Sequence, residues 1–194
     1  GPAGTVELNK RLQQELNPPA AGKSEVKTPV YTFRKGDKVM QTKNDYEILW
    51  KKYITEDKTE SGAGIFNGDI GIIIAVNKIL KTVTIDFEGR MAVYDKQMLD
   101  NLELAYAITV HKSQGSEFDV VILTVFGGFD KLYYRNLLYT AVSRAKRMLI
   151  IVGSKKRVDF MIDNNKRTLR YTALKNMLME LVEGDDSGQQ TLDI

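Results

Sequence analysis

The sequence contains no cysteine, one histidine and four prolines among its 194 residues. Without cysteine, neither a disulfide framework nor a thiolate metal site can form, and we expect no bound structural metal. No stretch approaches the roughly 18 consecutive apolar residues that a membrane-spanning helix requires, and the N-terminus lacks a secretory signal pattern. These absences exclude disulfide-stapled and membrane-spanning classes of protein. They are compatible with the cytoplasm, which is the location we expect.

The sequence also lacks a strong excess of charge of one sign. It has 28 basic and 25 acidic side chains, which gives a net charge of +3. Such a balance does not by itself indicate a nucleic-acid partner, so that prediction must rest on local motifs. The hydrophobic fraction of 43% is ordinary for a globular domain, and a chain of this length can bury a sizeable core.

The first hundred residues predict one helix followed by short strands. Residues 5–16 carry apolar side chains at near-helical spacing, before a loop that starts at Asn17: Val6, Leu8, Leu12 and Leu16. Residues 31–42 alternate around a Gly-Asp turn and predict strands, whereas the polar, glycine-rich residues 55–64 predict a mobile loop. Three short alternating runs, at 69–77, 81–89 and 90–96, predict a small antiparallel barrel.

After residue 100 the pattern changes to apolar strands alternating with helices. We expect strands at 102–108, 118–125 and 148–153, a helix at 130–147 between the last two, and further helices near 156–164 and 169–182. A strand–helix–strand order with apolar strands predicts a parallel sheet covered on both faces. The fold class is therefore α/β, with residues 1–43 and 103–183 forming the α/β layer, 44–102 a β insert and 184–194 a flexible tail.

One apparent nucleotide motif fails on inspection. The letters AGKS at 21–24 resemble the end of a phosphate-binding P-loop. The complete motif requires a glycine where Asn17 stands, and no hydrophobic strand leads into the segment. No other GxxxxGK[ST] pattern occurs in the sequence. The sequence therefore predicts that this chain does not bind a nucleoside triphosphate in the standard way by itself.

A second motif, AITVHKSQGSEFDVVIL at 107–123, follows a predicted strand and ends in the next one. Ligands of open α/β sheets gather at the carboxyl ends of strands. Thr109 and His111 can donate to phosphate oxygens, and Lys112 adds a positive charge. Gly115 permits close backbone approach, and Glu117 can accept hydrogen bonds from a ribose. Helix capping by the threonine and the glycine is the alternative explanation of the same pattern.

A third motif, NLLYTAVSRAKRMLIIVG at 136–153, places basic residues after an apolar helical stripe. Cations near a helix C-terminus are favoured by the helix dipole, which explains many such clusters. The functional alternative is that Arg144 contacts a phosphate bound by a neighbouring domain. An arginine in that position stabilises the charge that develops on a transferred phosphoryl group.

Together, the second and third motifs resemble motifs V and VI of superfamily 1 helicases. The form HKSQGSEF is similar to that of the RecD/TraA branch, as are GDKVMQTKNDYE at 36–47, FNGDIG at 66–71 and the helix GTVELNKRLQQELNP at 4–18. The resemblance implies a RecA-like parallel-sheet domain with an inserted SH3-like β-barrel. In this family a strand precedes the first helix, so the sheet of this chain can be incomplete.

The resemblance further implies that this chain is the second motor domain of an ATP-dependent 5′–3′ DNA helicase. Arg144 would be the arginine finger, and Gly115 and Glu117 would face the nucleotide. The residues implied on the single-stranded DNA side are Thr109, His111 and Lys112, with Gln41, Thr42 and Asn44 near the insert. ATP with Mg²⁺ would be held mainly by an N-terminal motor domain of the same protein. Subunits of a nuclease–helicase complex are further implied partners.

Two other functions remain open from the sequence. The β insert could be a non-enzymatic module that binds single-stranded nucleic acid by stacking bases on Tyr31, Phe33 and Tyr94. Aromatic residues in strands usually pack inward, which argues against that function. The same helicase fold also occurs in conjugative relaxases, where the second motor domain can be degenerate.

Overall fold

The computed structural model describes residues 4–55, 57–127, 132–165 and 177–179. Most of the strands form one antiparallel sheet, and a separate parallel pair follows it. The elements in chain order are α1 (Thr5–Leu16), β1 (Glu25–Lys27), β2 (Thr32–Arg34), β3 (Lys38–Gln41), β4 (Asp45–Thr55), β5 (Lys58–Ile65), β6 (Ile70–Asn77), β7 (Thr82–Phe87), β8 (Arg90–Tyr94), β9 (Leu102–Leu104), β10 (Phe118–Val125), α2 (Arg135–Val142), β11 (Ala145–Gly153) and α3 (Lys155–Asp163). No helix in the described ranges is long and apolar enough to cross a lipid bilayer.

The predicted helix α1 is confirmed, but the side chains that it buries most deeply are polar. Asn9 and Gln13 are buried, as is Asn17 directly after the helix. Leu16, in contrast, is 68% exposed. The apolar periodicity therefore predicted the helix correctly, and a polar face beside the half-buried Leu8 and Leu12 is held by buried hydrogen-bond partners.

The antiparallel sheet has seven strands in the order β5-β4-β8-β7-β6-β3-β9. The inward side chains of its strands alternate with outward ones, as on β7, where Val83, Ile85 and Phe87 are fully buried. They pack with Phe33 and Tyr94 in one core cluster. The predicted strands at 69–77, 81–89 and 90–96 are confirmed. That the sheet forms a closed SH3-like barrel stays a prediction.

The prediction of a mobile loop at 55–64 is wrong, because Lys58–Ile65 forms strand β5. This strand pairs with β4 in a long hairpin, in which Lys52 lies opposite Glu60. Most of β5 is exposed, so its polar composition is compatible with pairing. Gly62 faces the ring of Trp50, and a Cβ atom there would lie 2.5 Å from that ring. The glycine that suggested a loop is thus required by a cross-strand contact.

Strands β3 and β9 pair with each other in the seven-stranded sheet. The sheet therefore spans Lys38 to Leu104 in sequence, on both sides of the expected insert at 44–102. The division into domains at these boundaries stays a prediction. The strand expected at 102–108 ends at Leu104. One further backbone hydrogen bond joins Ala105 to Lys38 of β3, and from Ala107 on the chain contacts α1.

The second part of the structure is a parallel pair, β10 and β11, connected through α2. The predicted strand at 118–125 is confirmed, and parallel pairing is present as expected. The helix expected at 130–147 is shorter: residues 130 and 131 lie outside the described residues, and α2 ends at Val142. Lys146 and Arg147 are on β11, since pairing with β10 starts at Ala145.

Close backbone approach ends the parallel pair. Gly153 has a φ of 144°, and a Cβ atom there would lie 2.0 Å from the carbonyl oxygen of Val125. Helix α3 then confirms the prediction at 156–164. The expected helix at 169–182 lies outside the described residues except for helical residues 177–179, and the expected tail at 184–194 lies wholly outside them. The wider RecA-like arrangement around this pair stays a prediction.

Candidate functional site

The segment between β9 and β10, which we name the 107–117 loop, contains the second sequence motif. It forms a compact turn in which Ser113 is buried and donates its hydroxyl hydrogen to the carbonyl oxygen of Val110, 2.8 Å away. The backbone N–H of Lys112 donates to the Thr109 hydroxyl oxygen at 3.2 Å. Gly115 ends the turn with a φ of 84°, which favours glycine. Thr109 and Gly115 thus begin and end a hydrogen-bonded turn, and residues 105–117 contain no helix for them to cap.

Contacts with two preceding elements hold this loop in place. Asn9 of α1 donates to the carbonyl oxygen of Ala107 and accepts from its N–H, both at 2.8 Å. Lys112 forms an ion pair of 2.6 Å with Glu103 of β9. The loop is therefore connected to α1 by two hydrogen bonds between the Asn9 side chain and the Ala107 backbone, and to the seven-stranded sheet by an ion pair.

Arg144 contacts the far end of the same loop. Its Nη1 donates to the carbonyl oxygen of Ser116 at 3.0 Å, and its Nε donates to the carbonyl oxygen of Thr140 at 3.2 Å. A third donor, Nη2, reaches the Ser143 hydroxyl at 3.2 Å. No carboxylate forms an ion pair with Arg144 within the described part of the chain. The guanidinium is half-buried, so it presents an unneutralised charge at the rim of the loop.

Gly115 and Glu117 line the surface next to Arg144. No atom lies within 4 Å of an ideal Cβ position at Gly115, so open space adjoins its backbone. Glu117 and Lys146 are both more than half exposed and lie 3.4 Å apart. An exposed pair of this kind contributes little to stability, about 0–1 kcal/mol, and exchanges easily for other partners. The structure thus brings together the three residues predicted for the nucleotide side.

The residues predicted for the DNA side fall into two groups. Thr109 and His111 are exposed on the 107–117 loop, and Lys112 is there in its ion pair. The second group lies at the end of β3, beside the turn at residues 66–69. In that group, Asn44 is exposed, and its side-chain oxygen accepts from the N–H of Asn67 at 2.9 Å. In the described residues, no hydrogen bond or ion pair joins this second group to the loop.

Two members of the second group are less accessible than the prediction assumed. Gln41 is fully buried, and its side-chain oxygen accepts from the Tyr94 hydroxyl at 3.1 Å. Thr42 is half-buried and donates from its hydroxyl to the carbonyl oxygen of Asn101 at 3.0 Å. Direct contact of the Gln41 side chain with DNA would thus require rearrangement of the core, and its role stays a prediction.

Comparison with known proteins identifies the family. Residues 8–87 match the SH3 domain of ATP-dependent RecD-like DNA helicases, and residues 104–152 match the UvrD-like helicase C-terminal domain. These two matches follow each other in the chain and together include the 107–117 loop and Arg144. The chain thus carries the SH3 domain of RecD-like helicases, followed by a UvrD-like helicase C-terminal domain.

Individual relatives agree with this RecD-like assignment. The chain is 35% identical over 154 residues to the ATP-dependent RecD2 DNA helicase of Deinococcus radiodurans, covering 79% of this chain and 19% of that protein. It is 32% identical over 179 residues to the RecBCD enzyme subunit RecD of Mycobacterium tuberculosis, covering 92% of this chain and 27% of that subunit. It is also similar to the conjugal transfer protein TraA of Rhizobium radiobacter, with 34% identity over 94 residues, covering 47% of this chain and 8% of that protein. The RecD-like chain thus spans about a fifth to a quarter of the first two relatives.

The resemblance to RecD and TraA that the motifs indicated is therefore confirmed. The stacking surface proposed for the non-enzymatic alternative is not available in this RecD-like structure. Phe33 and Tyr94 have no exposed surface, and Tyr31 is 7% exposed. These aromatic rings belong to the core cluster, so they cannot stack on nucleic-acid bases.

Sequence reasoning missed the residues that hold the loop. Asp37 is fully buried and accepts from the hydroxyl of Tyr106 at 2.9 Å, directly before the loop. Burial and the neighbouring Asp37 carboxylate raise the pKa of Tyr106 far above its ordinary value. A signal was nevertheless present in the sequence, because Asn9, Gln13 and Asn17 recur every four residues. That spacing places the three amides on one helix face. Lys10 and Gln14 have the same spacing, so the pattern alone does not single out the buried amides.

Proposed function

We propose that this RecD-like chain is the second motor domain of an ATP-dependent 5′–3′ DNA helicase. In the proposal it supplies an arginine finger, Arg144, and part of the track for single-stranded DNA. The observation that carries the proposal is the position of the Arg144 guanidinium. It lies against the 107–117 loop, half-buried and without a carboxylate partner among the described residues.

The loop and Arg144 have the chemistry of half a nucleotide site. Glu117 offers an exposed carboxylate, Gly115 adjoins open space, and the guanidinium offers charged donors. No P-loop occurs in the sequence. In the proposal, ATP with Mg²⁺ is therefore held mainly by an N-terminal motor domain of the same protein. The relatives named above are consistent with a longer parent, since they are several times longer than the matched segment.

Arg144 would act by stabilising charge. A planar guanidinium donates several hydrogen bonds to phosphate oxygens at once, which a lysine ammonium cannot do with the same geometry. In phosphoryl transfer, an arginine of this kind raises the turnover number by about 10³–10⁵. Its hydrogen bonds to the carbonyl oxygens of Ser116 and Thr140 set its direction before the two motor domains close.

The DNA side of the proposal uses the exposed residues of both groups. Thr109 and His111 would donate to backbone phosphates, and Lys112 would do so after leaving Glu103. Near the turn at residues 66–69, Thr42 and Asn44 would contact the strand. Gln41 is buried and makes no direct contact with DNA in the proposal.

The proposal is tested in a protein that joins this chain to its ATP-binding domain. This chain alone should show no ATPase, and the joined protein should show ATPase stimulated by single-stranded DNA. Arg144→Ala should lower the turnover number by about 10³-fold or more. Arg144→Lys should restore little of it, because the paired donors are lost.

Arg147→Ala provides the matched control. Arg147 is an exposed arginine three positions along the chain, on β11, and its loss should leave ATPase close to that of the unmodified protein. Full turnover in a folded Arg144→Ala variant would show that the finger assignment is wrong. Strand displacement from duplexes with a 5′ or a 3′ tail tests the polarity separately, and we expect unwinding only with the 5′ tail.

The partners beyond DNA follow from the relatives. One relative is a subunit of the RecBCD enzyme, so we infer that nuclease–helicase subunits are candidate partners of the parent protein, in DNA recombination and repair. Co-purification of the joined protein with candidate nuclease subunits tests this inference. A monomeric joined protein with full unwinding activity would instead favour a motor that works alone.

A further inference from the structure

Asp37, in the turn between β2 and β3, is the centre of a buried polar cluster. Its side chain has no exposed surface. One carboxylate oxygen accepts from Asn17 at 2.6 Å and from the Tyr106 hydroxyl at 2.9 Å. The other accepts from Gln13 at 2.6 Å and from the backbone N–H of Arg34 at 2.7 Å. Within the described residues, no lysine, arginine or histidine forms an ion pair with it.

The donors belong to three parts of the chain that are distant in sequence. Gln13 and Asn17 extend from the end of α1, Arg34 lies at the end of β2, and Tyr106 directly precedes the 107–117 loop. On the same face of α1, Asn9 makes its two hydrogen bonds to the backbone of Ala107. We name the side chains of Asn9, Gln13 and Asn17 the carboxamide face.

A cluster of this composition defines geometry more strictly than an apolar contact would. Burying a carboxylate is costly unless its lone pairs are satisfied, so each donor must keep its position. Apolar side chains could fill the same space in several arrangements, whereas hydrogen bonds of 2.6–2.9 Å allow few. The Tyr106 hydroxyl is protonated at neutral pH, as an ordinary tyrosine is, so it donates to Asp37.

We propose that Asp37, the carboxamide face and Tyr106 position the 107–117 loop and, through it, Arg144. The path of contacts is continuous. Asp37 binds Tyr106, Asn9 binds Ala107, and the loop ends at Ser116, whose carbonyl oxygen accepts from Arg144 at 3.0 Å. This inference rests on the proposed function, since it assigns these residues a role in orienting the Arg144 guanidinium. They are positioning residues, because none of them reaches the reacting groups in this role.

The first test uses this chain alone and measures backbone amide exchange by mass spectrometry. Tyr106→Phe removes only the hydroxyl that binds Asp37. It should accelerate exchange in residues 107–115 by about tenfold or more, because a hydrogen bond to a buried carboxylate is lost. Exchange in β7 should be unchanged. Equal exchange in residues 107–115 with and without the hydroxyl would overturn the inference.

Tyr94→Phe is the matched control for this test. It also removes a buried hydroxyl, which donates to Gln41 inside the seven-stranded sheet. It should leave exchange in residues 107–115 unchanged, even if the melting temperature falls as much as it does for Tyr106→Phe. If both variants accelerate exchange in the loop equally, the effect is one of general stability and the inference is wrong.

The second test uses the joined protein and separates kcat from KM. Tyr106→Phe should lower the DNA-stimulated kcat about tenfold or more and change the KM for ATP less than about twofold. The reason is that Arg144 acts on charge developed in the transition state, whereas ground-state binding rests on the other motor domain. Tyr94→Phe should change neither constant by more than about twofold. A Tyr106→Phe variant with an unchanged kcat would contradict the positioning role.

The two tests fail separately. A joined protein without DNA-stimulated ATPase would contradict the proposed motor function, and the exchange experiment on this chain would still be decisive for the loop. DNA-stimulated ATPase in the joined protein, together with amide exchange in residues 107–115 that Tyr106→Phe does not change, would contradict only the positioning inference.

Discussion

The seven-stranded sheet and the β10–α2–β11 unit bury their apolar residues to very different extents. In the sheet, Phe33, Ile85 and Tyr94 have no exposed surface. The cluster that the parallel unit buries against α3 contains only Val125, Leu138 and Met161 among the described residues. Ile122, in the middle of β10, is 63% exposed. Stability of this chain thus resides mainly in the sheet, whereas Arg144 lies at the edge of the parallel unit.

The two parallel strands carry apolar residues on both faces, and many of these side chains are exposed. Apolar residues on both faces are typical of strands in a parallel sheet covered by helices. Val120 and Ile122 of β10 lie beside Met148 and Ile150 of β11 on one face of the pair, and all four are exposed. In the proposed parent protein, this face would pack against the remainder of the motor. The sheet region, in contrast, has a complete core of its own.

The largest expected effect is a difference in stability between two isoleucine variants, one in the seven-stranded sheet and one on β10. Ile85→Ala, in the sheet, should lower the free energy of unfolding by about 2–5 kcal/mol, because it leaves a cavity in a packed core. Ile122→Ala, on β10, should lower it by less than about 1 kcal/mol, since most of that side chain is already in water. Urea unfolding followed by far-UV circular dichroism measures both. Equal losses would show that the parallel unit is as well packed as the sheet.

The sequence predicted the elements of both regions better than it predicted their packing. Alternation located β6, β7 and β8, and the apolar runs located β10 and β11, because burial imposes a period on the residue types. The hairpin strand β5 was missed, since an exposed strand imposes no such period and its glycine suggested a loop. The shortened α2 and the early start of β11 follow from pairing with Phe118, a tertiary contact that local propensity does not contain.

The candidate site was predictable in its exposed residues and not in its supports. The motifs indicated Gly115, Glu117 and Arg144, and the structure places them around one loop. Asp37 was not singled out, because a single aspartate in a turn is common and three of its four donors come from distant segments. Tertiary structure alone brings those donors together.

The intermediate effect tests which face of α1 is packed. Asn17→Ala should destabilise the chain by about 1–3 kcal/mol, because it leaves the buried Asp37 carboxylate without one of its donors. The adjacent Leu16→Ala should cost less than about 0.5 kcal/mol, since that side chain is 68% exposed. Urea unfolding of the two variants checks the order. A larger loss of unfolding free energy for Leu16→Ala would show that the apolar face of α1 is the packed one.

The smallest expected effect is on the pH dependence of stability, and it distinguishes a tyrosine of the sheet from a tyrosine of the parallel unit. Burial, with Asp45 and Asp69 nearby, raises the pKa of Tyr94 far above its ordinary value. Tyr139 on α2 is 74% exposed. The unfolded chain therefore releases the Tyr94 proton near pH 10 while the folded chain keeps it, so stability falls as the pH rises above about 10. At pH 11 this tyrosine accounts for a loss of about 1.4 kcal/mol.

Tyr94→Phe should remove that share of the decline between pH 9.5 and about 11, whereas Tyr139→Phe should leave the slope unchanged. The Tyr94 variant loses some stability at neutral pH with its hydroxyl hydrogen bond, so the slope and not the absolute value is compared. Urea unfolding at a series of pH values measures it. A slope that responds equally to both substitutions would mean that the hydroxyl of Tyr94 is accessible to water, and the sheet core would then be less closed than its burial indicates.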